Sequence, residues 1–152
     1  MNKAEGGSAF CILMVDDDPT IQKVGKAILA HCGCRVEVSG NGREAIEAVA
    51  RQKFDMIFMD CHMPGMDGYV TTGVNREMEN KNRGNGEASR VPIVAVTGYS
   101  TEEDREECLR AGMDDYLSKP FTIAQIQSVL DRWLVARSAE NREDRGEQDS
   151  SG

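Results

Sequence analysis

The sequence predicts an α/β protein built on a parallel sheet, and three observations predict it. Five short strand-like runs alternate with helix-like stretches. The connections between them are short, which leaves right-handed crossovers as the simplest topology and puts helices on both faces. Two of the runs, 10–15 and 56–59, are continuously apolar and stop at an aspartate, as a strand buried on both faces does when it reaches the sheet edge.

In order, residues 1–9 read as a flexible leader and 10–15 as the first strand. Asp18 then Pro19 reads as an N-cap followed by proline at the first helical position. Ile21, Val24 and Ile28 supply that helix's apolar stripe, and Gly33 closes it. Residues 35–38 form a second strand. Asn41 and Glu44 cap a second helix, with Ala45, Ile46, Ala48 and Val49 inward. Residues 56–59 form the third strand, ending in Asp60. Val70, Val74 and Met78 recur every four residues and predict a third helix to about residue 79. Residues 80–90 are polar, without periodicity, and read as a surface loop.

Residues 91–96 make the fourth strand, entered through Pro92 and ending in Thr97. Ser100 with Glu103, or Thr101 with Asp104, caps a fourth helix to Ala111. That helix is almost entirely charged, with Cys108 and Leu109 its main apolar residues. Residues 115–118 form the fifth strand, followed by Lys119-Pro120. Thr122 and Gln125 form a capping box before a strongly amphipathic helix of Ile123, Ile126, Val129, Leu130, Trp133 and Leu134. Residues 137–152 hold no bulky apolar side chain and read as a disordered tail.

Composition excludes several functions. A net charge of −8 argues against a phosphate-backbone binder, which needs a basic face. No apolar run approaches the roughly 20 residues of a membrane span, and the leader lacks a signal-peptide core. The five cysteines are odd in number and scattered, the pattern of reduced thiols in a cytoplasmic protein. Cys32-Gly33-Cys34 has no second ligand pair at zinc spacing.

Parallel strands bring their carboxyl ends to one rim. Asp16 and Asp17 follow strand one, Asp60 strand three, Thr97 strand four and Lys119 strand five. Carboxylates crowded there repel one another. A hard cation such as Mg²⁺ relieves this through one or two carboxylates, a carbonyl, waters and a phosphate oxygen. A lysine and a hydroxyl alongside suit a dianionic phosphoryl group, so the set reads as a phosphoryl-transfer site with a carboxylate nucleophile.

Four blocks carry a resemblance: Val15-Asp16-Asp17; Met59-Asp60 with Met63-Pro64-Gly65-Met66-Asp67-Gly68; Pro92-Ile93-Val94-Ala95-Val96-Thr97; and Gly112-Met113-Asp114-Asp115-Tyr116-Leu117-Ser118-Lys119-Pro120. In this order and spacing the chain resembles the receiver domain of two-component response regulators over residues 10–136. Its wording around Cys61-His62-Met63-Pro64 is most like receivers of hybrid histidine kinases and phosphorelays. The resemblance implies a flavodoxin-like, doubly wound sheet of five strands in the order 2-1-3-4-5 with five helices. It implies that Asp60 is the phosphoacceptor for a phosphohistidine. It further implies that Asp17, Asp60 and the His62 backbone carbonyl bind Mg²⁺ directly while Asp16 holds a metal-bound water. Lys119 and Thr97 are expected to contact the phosphoryl oxygens. Tyr116 is expected to change rotamer with Thr97, and the Lys119–Pro120 bond to be cis. The partners implied are a histidine kinase or histidine phosphotransfer protein, with no direct nucleic-acid contact, no membrane insertion, and a homodimer on phosphorylation left open. Such a module is not an enzyme in the usual sense, since it catalyses only its own phosphorylation and dephosphorylation.

Other residues read as structural. Asp18 caps a helix, Asp67 supports a turn, and His31 sits near a helix end. His62 and Tyr99, two residues past Asp60 and Thr97, are bulky and are expected to obstruct the water that hydrolyses a phosphoaspartate. Gly98 stands where many receivers carry alanine. Two rival readings remain. Asp16-x-Asp18-x-Thr20 resembles the nucleophile motif of haloacid-dehalogenase-type phosphatases, with Asp16 as nucleophile. A docking module that is never phosphorylated is the other.

Overall fold

A computed structural model describes residues 9–83, 90–98 and 101–135. The element order is β1 (Cys11–Val15), α1 (Pro19–His31), β2 (Arg35–Ser39), α2 (Gly42–Arg51), β3 (Met56–Asp60), α3 (Gly68–Arg83), β4 (Ile93–Thr97), α4 (Glu102–Ala111), β5 (Asp115–Ser118) and α5 (Ile123–Leu130), with a π-helical turn at Asp131–Val135. The five strands form one parallel sheet in the order β2-β1-β3-β4-β5. This is the expected strand order.

The sheet is apolar on both faces, which is why its strands read as continuous runs rather than alternating ones. Leu13, Val15, Ile57, Met59, Ile93 and Ala95 share one buried cluster with Ala45 and Ala48 of α2 and Cys108 of α4. Their alternate neighbours Ile12, Met14, Phe58, Val94 and Val96 are also buried, on the opposite face. There α1 lies so close to β1 that a Cβ at Gly25 would stand 2.6 Å from the Met14 methyl carbon.

The local signals act where the sequence places them. Asp18 Oδ1 accepts from Thr20 N at 2.9 Å with Pro19 opening α1, and Gly33 takes φ +88° after its end. Asn41 Oδ1 accepts from Glu44 N at 2.8 Å. Thr101, the second of the two candidate caps, accepts from Asp104 N at 3.1 Å; Ser100 lies outside the described residues. The segment from Thr122, a compact unit of its own, opens with the expected capping box and buries Ile126, Val129, Leu130 and Leu134, while Ile123 is exposed.

Two helices depart in part from the stripe their apolar residues predict: Ile28 of α1 is buried and Ile21 half-buried as expected, but Val24 and, in α3, Val70 are exposed. In α1 the inward positions are Gly25, Ile28 and Leu29, and Val24 is exposed. In α3 Val70 is 52% exposed, and the buried positions beyond Gly68 are Thr71, Thr72 and Asn75. Thr71 satisfies its hydroxyl on the carbonyl of Asp67, the residue just before the helix, at 2.8 Å. The same helix runs on to Arg83, so residues 80–83, expected to be loop, are helical. The rest of that loop (84–89), the leader to residue 8, Tyr99 and the tail from 136 lie outside the described residues.

Candidate functional site

Register brings the strand ends level. Val15 pairs with Ser39 and Met59, Asp60 with Val96, and Thr97 with Ser118. Asp16, Asp60, Thr97 and Lys119 therefore emerge along one rim. Asp16 and Asp60 are 0% and 2% exposed, Thr97 is buried, and Asp17 is exposed.

Lys119 is the hub. Its Nζ lies 3.1 Å from Asp16 Oδ2 and 3.4 Å from Asp60 Oδ1. The strand end aims it: Lys119 N donates to the Thr97 carbonyl at 2.8 Å, and the Lys119–Pro120 bond is cis, as the resemblance implied. Burial works against the Lys119 charge, but the Asp16 and Asp60 carboxylates outweigh it and raise its pKa. Asp60 is pushed up to about 6, first by burial and second by Asp16; Lys119 and the His62 N–H, which donates to Asp60 Oδ1 at 3.2 Å, pull it back. At neutral pH Asp60 is thus mostly ionised while keeping an appetite for a cation or proton.

Asp16 is held from two sides. Asp18 N donates to its Oδ1 at 2.9 Å, and Gln22 Nε2 donates to its main-chain carbonyl at 2.6 Å. Its Oδ2 is buried and, apart from the ion pair with Lys119 at 3.1 Å, has no hydrogen-bond partner among the described residues. Asp16, Asp17 and Asp60 each offer an oxygen such that all three lie within 4.8 Å of one another. An under-satisfied buried carboxylate oxygen within a compact three-carboxylate set fits a hard divalent cation.

The turn after β3 approaches the strand very closely. Gly68 N donates to the Cys61 carbonyl at 3.2 Å, and a Cβ at Gly68 would collide with the Asp60 carbonyl oxygen and stand 2.9 Å from Cys61 Cα. Gly68→Ala is therefore expected to cost roughly 1–3 kcal/mol, as overpacking does, and to weaken divalent-cation binding by displacing Asp60. Thermal unfolding with and without Mg²⁺ measures both. Asp67, read as a turn residue, accepts from Val70 N at 3.0 Å. The exposed His62 ring meets Tyr69 edge-on at 6.0 Å.

Tyr116 lies on β5, opposite Ala95 of β4. Its hydroxyl accepts from Arg105 Nη2 at 2.6 Å, and the guanidinium also sits 4.5 Å from the ring centroid. Sequence reasoning missed Arg105 and Gln22. A glutamine one turn into a capped helix and an arginine in a charged helix carry no signal of their own.

Similarity to known proteins agrees with this geometry. The profile of the response regulator receiver domain matches residues 12–131. Probable histidine kinase 1 of Oryza sativa subsp. indica is 36% identical over 147 residues, covering 81% of this chain and 15% of that protein. The transcription factor SKN7 of Saccharomyces cerevisiae is 34% identical over 84% of this chain and 19% of its own length. The chain thus spans less than a fifth of these relatives. The receiver domain of the sensor histidine kinase PA1611 from Pseudomonas aeruginosa, solved with magnesium in its active-site cleft, is 43% identical, covers 83% of this chain and 98% of that one, and superposes with a TM-score of 0.72. The receiver of Saccharomyces cerevisiae Ssk1, solved with the histidine phosphotransfer protein Ypd1, is 26% identical over 82% of this chain and 88% of that one, with a TM-score of 0.76. Among the described residues no helix is long and apolar enough to cross a membrane. With its 2-1-3-4-5 sheet and its acidic rim, this chain belongs to the response regulator receiver domain family, the signalling module of two-component and phosphorelay systems.

Proposed function

We propose that Asp60 accepts a phosphoryl group from a phosphohistidine and that its phosphorylation changes the α4–β5 surface. The observation that carries this is the Lys119 ammonium set between Asp60 and Asp16, with Asp17 completing the acidic cluster. Asp17, Asp60 and the His62 main-chain carbonyl would hold Mg²⁺, with Asp16 reaching it through water. Bound there, the cation would neutralise the carboxylates and the incoming phosphoryl oxygens.

Asp60 oxygen attacks phosphorus; the P–N bond to the donor imidazole breaks as the P–O bond forms, and the imidazole takes up a proton. Lys119 moves its charge from Asp60 Oδ1 to the phosphoryl oxygens. The Thr97 hydroxyl donates to one of them. Tyr116 follows Thr97 inward and leaves Arg105. The donor is a histidine kinase or a histidine phosphotransfer protein, a reading supported by the relatives that are kinases and by the Ssk1 receiver's complex with Ypd1. The chain turns over no external substrate beyond this acceptance and its own hydrolysis.

The test is incubation with a ³²P-labelled phosphotransfer protein and Mg²⁺, followed by mapping of the label. One acid-stable, base-labile label at Asp60, absent from Asp60→Asn, is the expected result. Label at Asp16 with continuing turnover would support the phosphatase reading. No label, together with no binding of beryllofluoride, would support a docking module.

A further inference from the structure

Helix α4 has one buried side chain along its ten residues, Cys108. Its other apolar residue of size, Leu109, is 60% exposed. Cys108 Sγ lies 3.8 Å from Cys61 Sγ, across 47 residues of sequence, and both side chains are buried. Cys61 is the residue directly after Asp60. Its backbone is fixed by Cys61 N to the Val96 carbonyl at 3.1 Å and by Gly68 N to its own carbonyl. The Tyr69 hydroxyl is buried and makes no hydrogen bond among the described residues. The thiol pair is therefore a contact through which α4 touches the strand end that carries Asp60.

We propose that Cys61 and Cys108 are a redox modification site, converted by hydrogen peroxide or a similarly small hydroperoxide into an intramolecular disulfide that fastens α4 to the end of β3. Contact at 3.8 Å must close to about 2.05 Å. A helix with one buried side chain, held otherwise by the exposed Arg105–Tyr116 pair, can supply that shift, because segments with few buried apolar contacts open locally at low cost. The same opening admits the oxidant, which the closed pair excludes.

Opening of α4 carries Cys108 outward, so its thiolate attacks first. The peroxide O–O bond breaks, one oxygen stays as a sulfenic acid, and the other leaves as water after taking a proton. Cys61 sulfur then attacks Cys108 Sγ, the S–O bond breaks, and the hydroxide leaves with the Cys61 proton as a second water. Two thiols lose two electrons in all, and the peroxide gains them. Cys32 and Cys34 flank Gly33 between α1 and β2, and Cys11 opens β1, so none of them belongs to this contact. None of this depends on Asp60 accepting phosphate.

The experiment treats the reduced, folded chain with hydrogen peroxide, alkylates it under denaturing conditions and maps the peptides by mass. A Cys11→Ser/Cys32→Ser/Cys34→Ser variant isolates the pair, and Cys108→Ala in that background is the control. We expect a linked Cys61–Cys108 peptide that is two hydrogens lighter and is restored by dithiothreitol. We also expect amide exchange across residues 102–111 to slow about tenfold on oxidation, since local opening of α4 is then restricted. Full alkylation of both thiols after peroxide, or added oxygens on either sulfur without a link, would overturn the proposal. A link without slowed exchange would overturn the fastening of α4.

Discussion

Asp114→Ala is expected to lower stability by roughly 3 kcal/mol, within the range for breaking a buried, hydrogen-bonded ion pair, or about 10 °C in Tm for a domain of this size. The Asp114 carboxylate is the node of a network below the functional rim. Its Oδ2 accepts from Arg76 Nη2 at 2.8 Å and from Ile93 N at 2.9 Å, and its Oδ1 accepts from Arg90 Nη2 at 2.7 Å. Arg76 is itself largely buried. It also donates to the carbonyls of Gly112 and Val91 and to Glu79, each at 2.9 Å. Alanine leaves the first N–H of β4 without its acceptor and a buried guanidinium short of a counter-charge, and both losses fall in a low-dielectric site. The pair of Arg51 with Glu37 is the control. At 2.7 Å it is just as short, yet Arg51 is exposed and Glu37 is half-buried, so screening and side-chain entropy cancel most of the gain. Glu37→Ala should leave Tm nearly unchanged. Equal losses at both sites would show that the Asp114 node is no more than a surface pair.

Asp60→Asn is expected to stabilise the metal-free chain at pH 7.5, by at most about 3 kcal/mol for a carboxyl raised from 3.8 to about 6, and, on the proposed function, to abolish phosphoryl acceptance. A carboxyl that ordinarily titrates near 3.8 is raised to about 6 in the fold, by burial and by Asp16. The folded state therefore binds the Asp60 proton more tightly than the unfolded state does. Below pH 3.8 both states are protonated and the group costs nothing. The penalty grows as pH rises between 3.8 and about 6, and is complete above it. In EDTA the Tm advantage of Asp60→Asn should thus be present at pH 7.5 and shrink toward pH 4. If Asp60 is a Mg²⁺ ligand as proposed, millimolar Mg²⁺ should raise the Tm of the native chain and do much less for the variant. A variant less stable than the native chain in EDTA at pH 7.5 would mean that the attraction of Lys119 outweighs burial and the neighbouring carboxylate.

Part of this protein lies in short-range signals. Caps at Asp18, Asn41 and Thr122 act over two or three residues, so the sequence alone placed those helix starts and left α4's between Ser100 and Thr101. The apolar runs that end in Asp60 and Thr97 are local too, because a strand buried on both faces has no polar side to show. Parallel alternation then required Asp16, Asp60, Thr97 and Lys119 to share a rim, since parallel strands have their carboxyl ends together. Helix faces were harder. Val70 and Val24 kept a helical period yet face solvent, while α3 turns Thr71, Thr72 and Asn75 inward. A period marks two edges of a helix when polar residues repeat with it as well, and only the surface it packs on selects one.

Contacts between distant parts of the chain have no sequence period at all. Cys61 meets Cys108 across 47 residues, and Arg76 meets Asp114 across 38. Each side chain looks ordinary in its own segment, a thiol among apolar neighbours or an arginine in a polar helix. The sequence by itself determined the strand–helix order, the helix caps and the residues at the rim, because those follow from interactions within a few residues and from parallel pairing. Only the tertiary structure decided the Lys119 distances, the Asp114 network and the sulfur contact behind Asp60, because they depend on where the sheet's twist and its packed helices bring groups that are far apart along the chain.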